Sequence, residues 1–247
     1  MERIAFSILG IEVAWYGLLI ACGMVLGVLL AVKRANAIGI KDEVVFDIAL
    51  WSIPMGVLGA RLYYVVFNWH YYSQDLMRIF RFREGGLAIH GGIILGFITG
   101  YLLCRKNRVD FWAMADVAAP SMILGQAIGR WGNYFNQEAY GRPTDLPWAI
   151  TIEGVSVHPT FLYESVWNLA VMAWLLYYTD KKRANGEVFF LYLILYSLGR
   201  FFIEGLRVDS LMIGPFRTAQ MISLLLMIGG IVGIWWVRNK ETHNRNA

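Results

Sequence analysis

Three groups of residues in this sequence have the types and spacing to do chemistry. The densest is Gly129-Arg130-Trp131-Gly132-Asn133-Tyr134-Phe135-Asn136-Gln137-Glu138-Ala139-Tyr140-Gly141. A cation, amides, a carboxylate and glycines alternate there with large aromatic rings, a mixture that an ordinary solvated loop seldom carries. Glycine allows close backbone approach, and Arg, Asn and Glu side chains can build a hydrogen-bonded lattice around an anion. The second group is Tyr196, Arg200 and Glu204, spaced by four, with Arg207 three further on. On a helix these residues share a face and draw one polar stripe along an oily segment. The same spacing also permits an Arg200–Glu204 ion pair that serves packing only. The third group is His90, within Gly85-Gly86-Leu87-Ala88-Ile89-His90-Gly91-Gly92. A lone histidine is usually structural, but one flanked by glycine pairs at a membrane surface is a candidate for moving a proton.

Other chemistries find little support. His70, His90, His158 and His243 lack ligand spacing with cysteine or carboxylate, so no metal is expected and no cofactor is implied. There is no nucleophile-elbow serine and no phosphate-cradling Gly-rich strand–helix turn. Cys22 and Cys104 each lie in or beside an apolar run, where small buried thiols are ordinary. Nothing points to nucleic acid as a partner.

These groups must be positioned by membrane helices. Of 247 residues, 57% are hydrophobic and 16% charged, with a mean hydropathy of +0.49. Soluble domains run at roughly 45–50% and about 25%. Disorder and a disulfide scaffold are excluded by the same composition. A bilayer core takes about 20 helical residues to cross. Seven stretches qualify: Val13–Val32, Val44–Phe67, Leu87–Cys104, Phe111–Ile128, Thr160–Thr179, Val188–Gly205 and Phe216–Val237. Ionisable groups inside such helices are functional suspects, and Asp47, Arg61, Asp116 and Glu164 join the list with their pairings open.

Orientation follows from the basic residues. Lys33 and Arg34 follow the first stretch, which argues against a cleavable signal and for an outside N-terminus. With that topology every lysine (Lys33, Lys41, Lys106, Lys181, Lys182 and Lys240) falls on the cytoplasmic side. The ten external or buried basic residues are all arginine, the side chain that keeps its charge when desolvated and grips phosphate with a planar fork. Asn68–Gly86 interleaves apolar residues with Arg78, Arg81 and Arg83 and reads as a short amphipathic helix in the headgroup layer. In the other long outer connection, Trp131–Pro159, Trp148–Ile152 and Val155–His158 flank Glu153-Gly154 as a small hairpin. The expected fold is an all-α polytopic membrane protein with seven transmembrane helices, N-terminus outside and C-terminus cytoplasmic. Residues 1–247 form a single transmembrane domain, with an interfacial arm at 68–86 and a small external head at 131–159.

The run from Gly129 to Gly141 resembles the signature of the prolipoprotein diacylglyceryl transferases, G-R-x-G/A-N-F-x-N-x-E-x-x-G, with Tyr134 where phenylalanine is usual. Further landmarks of that family follow in register. They are Trp15-Tyr16-Gly17, Gly59-Ala60-Arg61, His90-Gly91-Gly92, His158-Pro159-Thr160 with Tyr163-Glu164, and Tyr196 through Arg207. The resemblance implies a multi-pass enzyme of the bacterial cytoplasmic (inner) membrane with its active site towards the external face. Such an enzyme moves the diacylglyceryl group of phosphatidylglycerol onto the lipobox cysteine thiol of a preprolipoprotein signal peptide. A thioether forms and glycerol phosphate is released. By that resemblance Arg130 grips the phospholipid, Arg200 is the second essential arginine and His90 the important histidine. Supporting roles fall on Tyr16, Asn133, Glu138, Gly141, Tyr196 and Glu204.

The residues suit that chemistry on physical grounds. The nucleophile belongs to the substrate, so the enzyme needs no reactive thiol of its own. A free thiol has a pKa of about 8.5, and a nearby base such as His90 helps to ionise it. Charge left on the departing phosphate needs cations such as Arg130 and Arg200 in a site shielded from water. The alternative is a phospholipid-binding transporter or flippase that holds a headgroup with the same arginines. Transporters place their sites near the midplane between repeated halves, and no such halves are evident here.

Overall fold

In the computed structural model of the chain, the described residues are 3–8, 10–82 and 85–246. Each of the seven apolar stretches forms a long helix: α1 (Trp15–Asn36), α2 (Asp42–Phe67), α4 (Ile89–Lys106), α5 (Phe111–Asn136), α6 (Thr160–Thr179), α7 (Glu187–Glu204) and α8 (Thr218–Asn246). A four-residue helix, α3 (Trp69–Tyr72), and a 3-10 turn over Leu76–Phe80 stand between α2 and α4. Among the described residues, four helices, Trp15–Asn36, Asp42–Phe67, Phe111–Asn136 and Thr218–His243, are long and apolar enough to cross a membrane. Their outward side chains agree: Leu50, Val66, Leu225 and Trp235 are 65–69% exposed, an apolar surface that belongs against lipid. The protein is a largely helical, multi-pass membrane protein.

Among the described residues, three short hairpins interrupt the helical pattern. β1 (Ile4–Ile8) pairs antiparallel with β2 (Ile11–Ala14) ahead of α1, an element the sequence reading did not anticipate. β3 (Ile150–Ile152) pairs with β4 (Val155–Val157) around Glu153 and Gly154. Both turn residues have positive φ, +49° and +83°, as a two-residue hairpin turn of this hand requires. The expected hairpin is therefore present, with shorter strands. β5 (Met212–Ile213) and β6 (Phe216–Arg217) make the third, between α7 and α8.

Two boundaries differ from expectation. Residues 69–80 are a single helical turn followed by a 3-10 turn rather than one amphipathic helix. Helix α5 runs to Asn136, so residues 131–136 are helical and the non-helical connection starts at Gln137. Gly132 allows a close approach, since a Cβ there would run into the Tyr16 ring. The helix ends where Gln137 turns to φ +55°.

The chain divides into two compact units, one formed by residues up to 31 together with those from 115 onward, the other by 32–114. In the first, α1 and α5 approach closely, with Gly23 against Gly125 and Gly27 against Ser121. Its core joins Ala119 and Ile123 of α5, Val171 and Leu175 of α6, and Val188 and Tyr192 of α7. In the second unit, α2 and α4 meet backbone to backbone through Gly59 and Gly91, and through Gly56 and Gly92. Small residues are what allow membrane helices to pack this closely.

Candidate active site

In the first unit, charge gathers where α5, α6 and α7 face one another. Helix α7 presents Tyr196, Arg200 and Glu204 on one face, as their spacing requires. Arg200 Nη2 meets Glu204 Oε2 at 2.7 Å, so the ion pair that the spacing allows is formed. It is only one part of a larger arrangement. Glu164 of α6, 5% exposed, accepts Arg200 Nη1 on Oε1 at 2.7 Å and forms an ion pair with Arg130 Nε through Oε2 at 2.6 Å. One carboxylate thus bridges the two arginines. Arg130 Nη2 also points at the Tyr196 hydroxyl, 3.4 Å away, and Tyr196 stacks on Tyr192 with ring centroids 5.9 Å apart.

Beyond the end of α7 the pattern continues. Arg207 lies 3.9 Å from Glu204 and makes a two-pronged hydrogen bond to Asp209, both contacts at 2.9 Å. Burial alone would raise the Asp209 carboxyl, but the hydrogen bonds and charge of Arg207 outweigh it and hold it below its ordinary range. Three arginines therefore face three carboxylates, Glu164, Glu204 and Asp209. Arg130 Nη1 and Arg200 Nε have no partner among the described residues. Donors on both arginines thus remain unused while their other donors fix them in place.

The last two turns of α5 carry the rest of the polar run. Glu138 accepts the side-chain amides of Asn133 at 2.9 Å and Asn136 at 3.3 Å, and its own N–H donates to Asn133 O at 3.0 Å. This lattice closes the helix end. Trp15 stacks on Phe135 with centroids 4.9 Å apart, and Tyr16 covers Gly132. Trp131 Nε1 donates to Ser165 of α6 at 3.1 Å. Gly141 is pinned between two strands of backbone: its N–H donates to His158 O at 3.0 Å, and it forms an antiparallel bridge with Arg207. A Cβ at Gly141 would meet the His158 side chain at 2.6 Å. His158 Nδ1 in turn lies 3.2 Å from the Tyr163 hydroxyl, which also accepts Trp148 Nε1 at 2.8 Å.

Of the residues expected to do chemistry, the structure therefore brings Arg130, Arg200, Tyr196 and Glu204 into one network, and Asn133 and Glu138 into another on the same helix end. Tyr16 and Gly141 serve as packing partners of those elements. His90 belongs to the second unit, exposed in the first turn of α4, its ring centroid 5.9 Å from Tyr63. The glycines after it are there for packing: Gly91 and Gly92 seat α4 on α2. The residue that sequence reasoning undervalued is Glu164. A carboxylate inside an apolar helix was the available signal, but its partners lie on two other helices and no spacing reveals them. Asp116, the other open pairing in this unit, finds Lys182 at 2.8 Å.

Known proteins resemble this chain over nearly its whole length. A sequence model of the family described as prolipoprotein diacylglyceryl transferase matches residues 3–236. A Clostridioides difficile (strain 630) protein named phosphatidylglycerol–prolipoprotein diacylglyceryl transferase is 52% identical over 244 residues, covering 99% of this chain and 98% of the relative. A Finegoldia magna protein of the same name is 51% identical over 233 residues, 94% of each chain. One from Clostridium novyi (strain NT) is 48% identical over 254 residues, covering 98% of this chain and 99% of its own.

Proposed function

We infer the division of labour in this protein from the family to which the chain belongs, the prolipoprotein diacylglyceryl transferases. The protein transfers a diacylglyceryl group from phosphatidylglycerol to prolipoproteins, a step in lipoprotein maturation. The acceptor is read as the lipobox cysteine of the signal peptide. Its sulfur attacks the glyceryl carbon that carries the phosphate ester, so a carbon–sulfur bond forms as the carbon–oxygen bond breaks. The electron pair leaves on the oxygen of glycerol phosphate, and the thiol proton passes to a base.

The observation that carries the assignment of roles is the pair Arg130 and Arg200 bridged by Glu164. Two forks fixed by one carboxylate, with donors to spare, suit a phosphate whose charge grows as the bond breaks. Tyr196 and Glu204 hold the arginines from α7, and Asn133 and Glu138 fix the helix end that carries Arg130. Tyr16 and Gly141 keep the neighbouring backbone in place. His90 is assigned the deprotonation of the thiol, directly or through water.

The seven long helices are read as seven spans of the bacterial cytoplasmic membrane, N-terminus outside and C-terminus cytoplasmic. Segregation of lysine supports that orientation. It turns the end of α5, the 68–86 arm and the 131–159 head outward, where lipid arrives sideways from the bilayer and the signal peptide presents its cysteine.

The test is direct. Purified protein in detergent is incubated with phosphatidylglycerol and a lipobox peptide, and the thioether product is sought by mass. Its absence from folded protein sinks the lipobox reading. A reporter fusion that places the N-terminus in the cytoplasm overturns the topology.

A further inference from the structure

Arg61 stands apart from the arginines above. It lies inside α2, is only 2% exposed, and aims its N–H groups at the backbone carbonyls of a single segment. Nε donates to Ile79, Nη1 to Gly85 and Gly86, and Nη2 to Arg78 and Arg81, over 2.5–3.2 Å. Five N–H groups meet five carbonyls. The guanidinium carbon also lies 5.2 Å from the Tyr72 ring centroid and 5.5 Å from that of Phe82. A buried charge is costly unless its hydrogen bonds are met, and here carbonyl dipoles and ring faces take the place of a carboxylate. The dependence runs both ways. Among the described residues the segment has one 3-10 turn, so most of its carbonyls lack regular backbone partners, and the guanidinium supplies them. A lysine at this position has three donors and no planar fork, so it cannot serve five acceptors.

That segment leads straight into His90, and three consecutive residues of α2 hold it at three points. Arg61 takes Gly86 O at 3.0 Å; Ala60 O accepts the Ala88 N–H at 3.0 Å; Gly59 seats against Gly91. The residues held lie four and two positions before His90 and one after it. This gives the sequence Gly59-Ala60-Arg61 a physical reason. We propose that Arg61 is a positioning residue for the transfer reaction, acting through residues 85–88 to fix the orientation of His90. The proposal rests on the reading of His90 as the base.

A cavity of about 380 Å³ adjoins the guanidinium, lined by Arg61, Tyr64, Asn68, Tyr72, Arg78 and Gly86 among others. Shortening residue 61 extends that space towards the vacated carbonyls, which makes chemical rescue feasible. The experiment compares Arg61→Lys and Arg61→Ala with wild type in the peptide assay, alone and with His90→Gln. A misplacement of about 1 Å in a reacting group costs about 10²-fold, so both single variants are expected to lose about that much kcat. KM for phosphatidylglycerol should stay within about twofold, because the phosphate-holding arginines are untouched. Guanidinium ion at tens of millimolar should restore Arg61→Ala at least about tenfold, and ammonium should not, since only the planar fork matches the carbonyls.

In the His90→Gln background, Arg61→Lys should cost less than about threefold, because its effect passes through a group already lost. Full additivity with a slow His90→Gln refutes positioning through His90, as does wild-type activity of Arg61→Lys or absence of guanidinium rescue. A His90→Gln protein with wild-type rate and pH profile refutes the base reading itself. Arg61→Lys keeps charge and length, so the double-variant arm decides the matter even if Arg61→Ala fails to accumulate.

Discussion

Helix α7 carries a buried charged cluster at each end, and the two are built on opposite principles. At its first turn the carboxylates are the hubs. Glu187, 0% exposed, accepts Arg183 N, Ala184 N, the Tyr178 hydroxyl at 2.7 Å and both Nε and Nη2 of Arg238 at 3.1 Å. Asp116, 1% exposed, accepts Lys182 and the N–H groups of Gly186 and Phe189 at 2.8–2.9 Å. Half of these donors are backbone N–H groups, and they stay in place for as long as the fold does. At the last turns the arginines are the hubs, and their partners are side-chain carboxylates and a hydroxyl. The Arg130 and Arg200 side chains retain 22% and 17% exposure and unused N–H groups. A carboxylate held by backbone N–H groups as well as side chains locks a loop to a helix. An arginine held by a carboxylate can offer its remaining donors to a phosphate without leaving its place.

The sharpest way to break this contrast is to truncate one member of each cluster. Arg130→Ala removes a phosphate fork and should lower turnover by at least about 10³-fold, about 4 kcal/mol at the transition state, with expression unchanged. Near-normal rates of thioether formation, measured by mass, would sink the phosphate assignment. Glu187→Ala should do the reverse. It orphans two backbone N–H groups and Arg238, so thermal unfolding in detergent should show a loss of about 3 kcal/mol. The rate per folded molecule should stay within about twofold. A stable but slow Glu187→Ala would mean that the lock belongs to the catalytic machinery.

These two ends were not equally legible in the sequence. Helix existence was easy, because a bilayer demands long apolar runs and the backbone must satisfy itself within them. All seven runs appear as helices, most with ends shifted by only a few residues. The expected end of α5 fell eight residues short because the apolar run stops at Ile128, whereas the helix continues through the polar residues to Asn136. The Arg200 stripe was visible since i and i+4 is a local rule. Glu164 and Arg61 were visible as charges but not as roles. Glu164 acts across three helices, and Arg61 acts on carbonyls, which every residue carries and no sequence marks. The β1–β2 hairpin was missed because its five- and four-residue strands sit against the first apolar run and merge with it.

A smaller change sharpens what the bridging carboxylate does. Glu164→Gln keeps the size but removes the charge that holds Arg130 and Arg200 together. With one fewer competing anion, ground-state binding of the phospholipid should not weaken, and KM for phosphatidylglycerol should stay level or fall. Turnover should drop about tenfold, about 1.4 kcal/mol, because the two forks lose their common anchor. A rise in KM with kcat unchanged would make Glu164 a lipid contact rather than the anchor of the arginines.

The smallest expected effect lies at the rim of the arginine cluster, and it has a definite sign. Asp209 is held below its ordinary range by Arg207, against the opposing effect of burial. A carboxyl depressed in the folded state contributes stability above its unfolded pKa, about 3.9, and loses it as pH falls through the lower folded value. Asp209→Asn removes that dependence. The Asp209 side chain is 45% exposed, so solvent screens the pair and the loss at neutral pH should stay below about 1 kcal/mol. Thermal unfolding followed from neutral into acid should show wild type and variant converging below about pH 4. If they stay parallel across that range, the Arg207–Asp209 fork adds nothing to the fold. The arginine cluster would then be anchored by Glu164 and Glu204 alone.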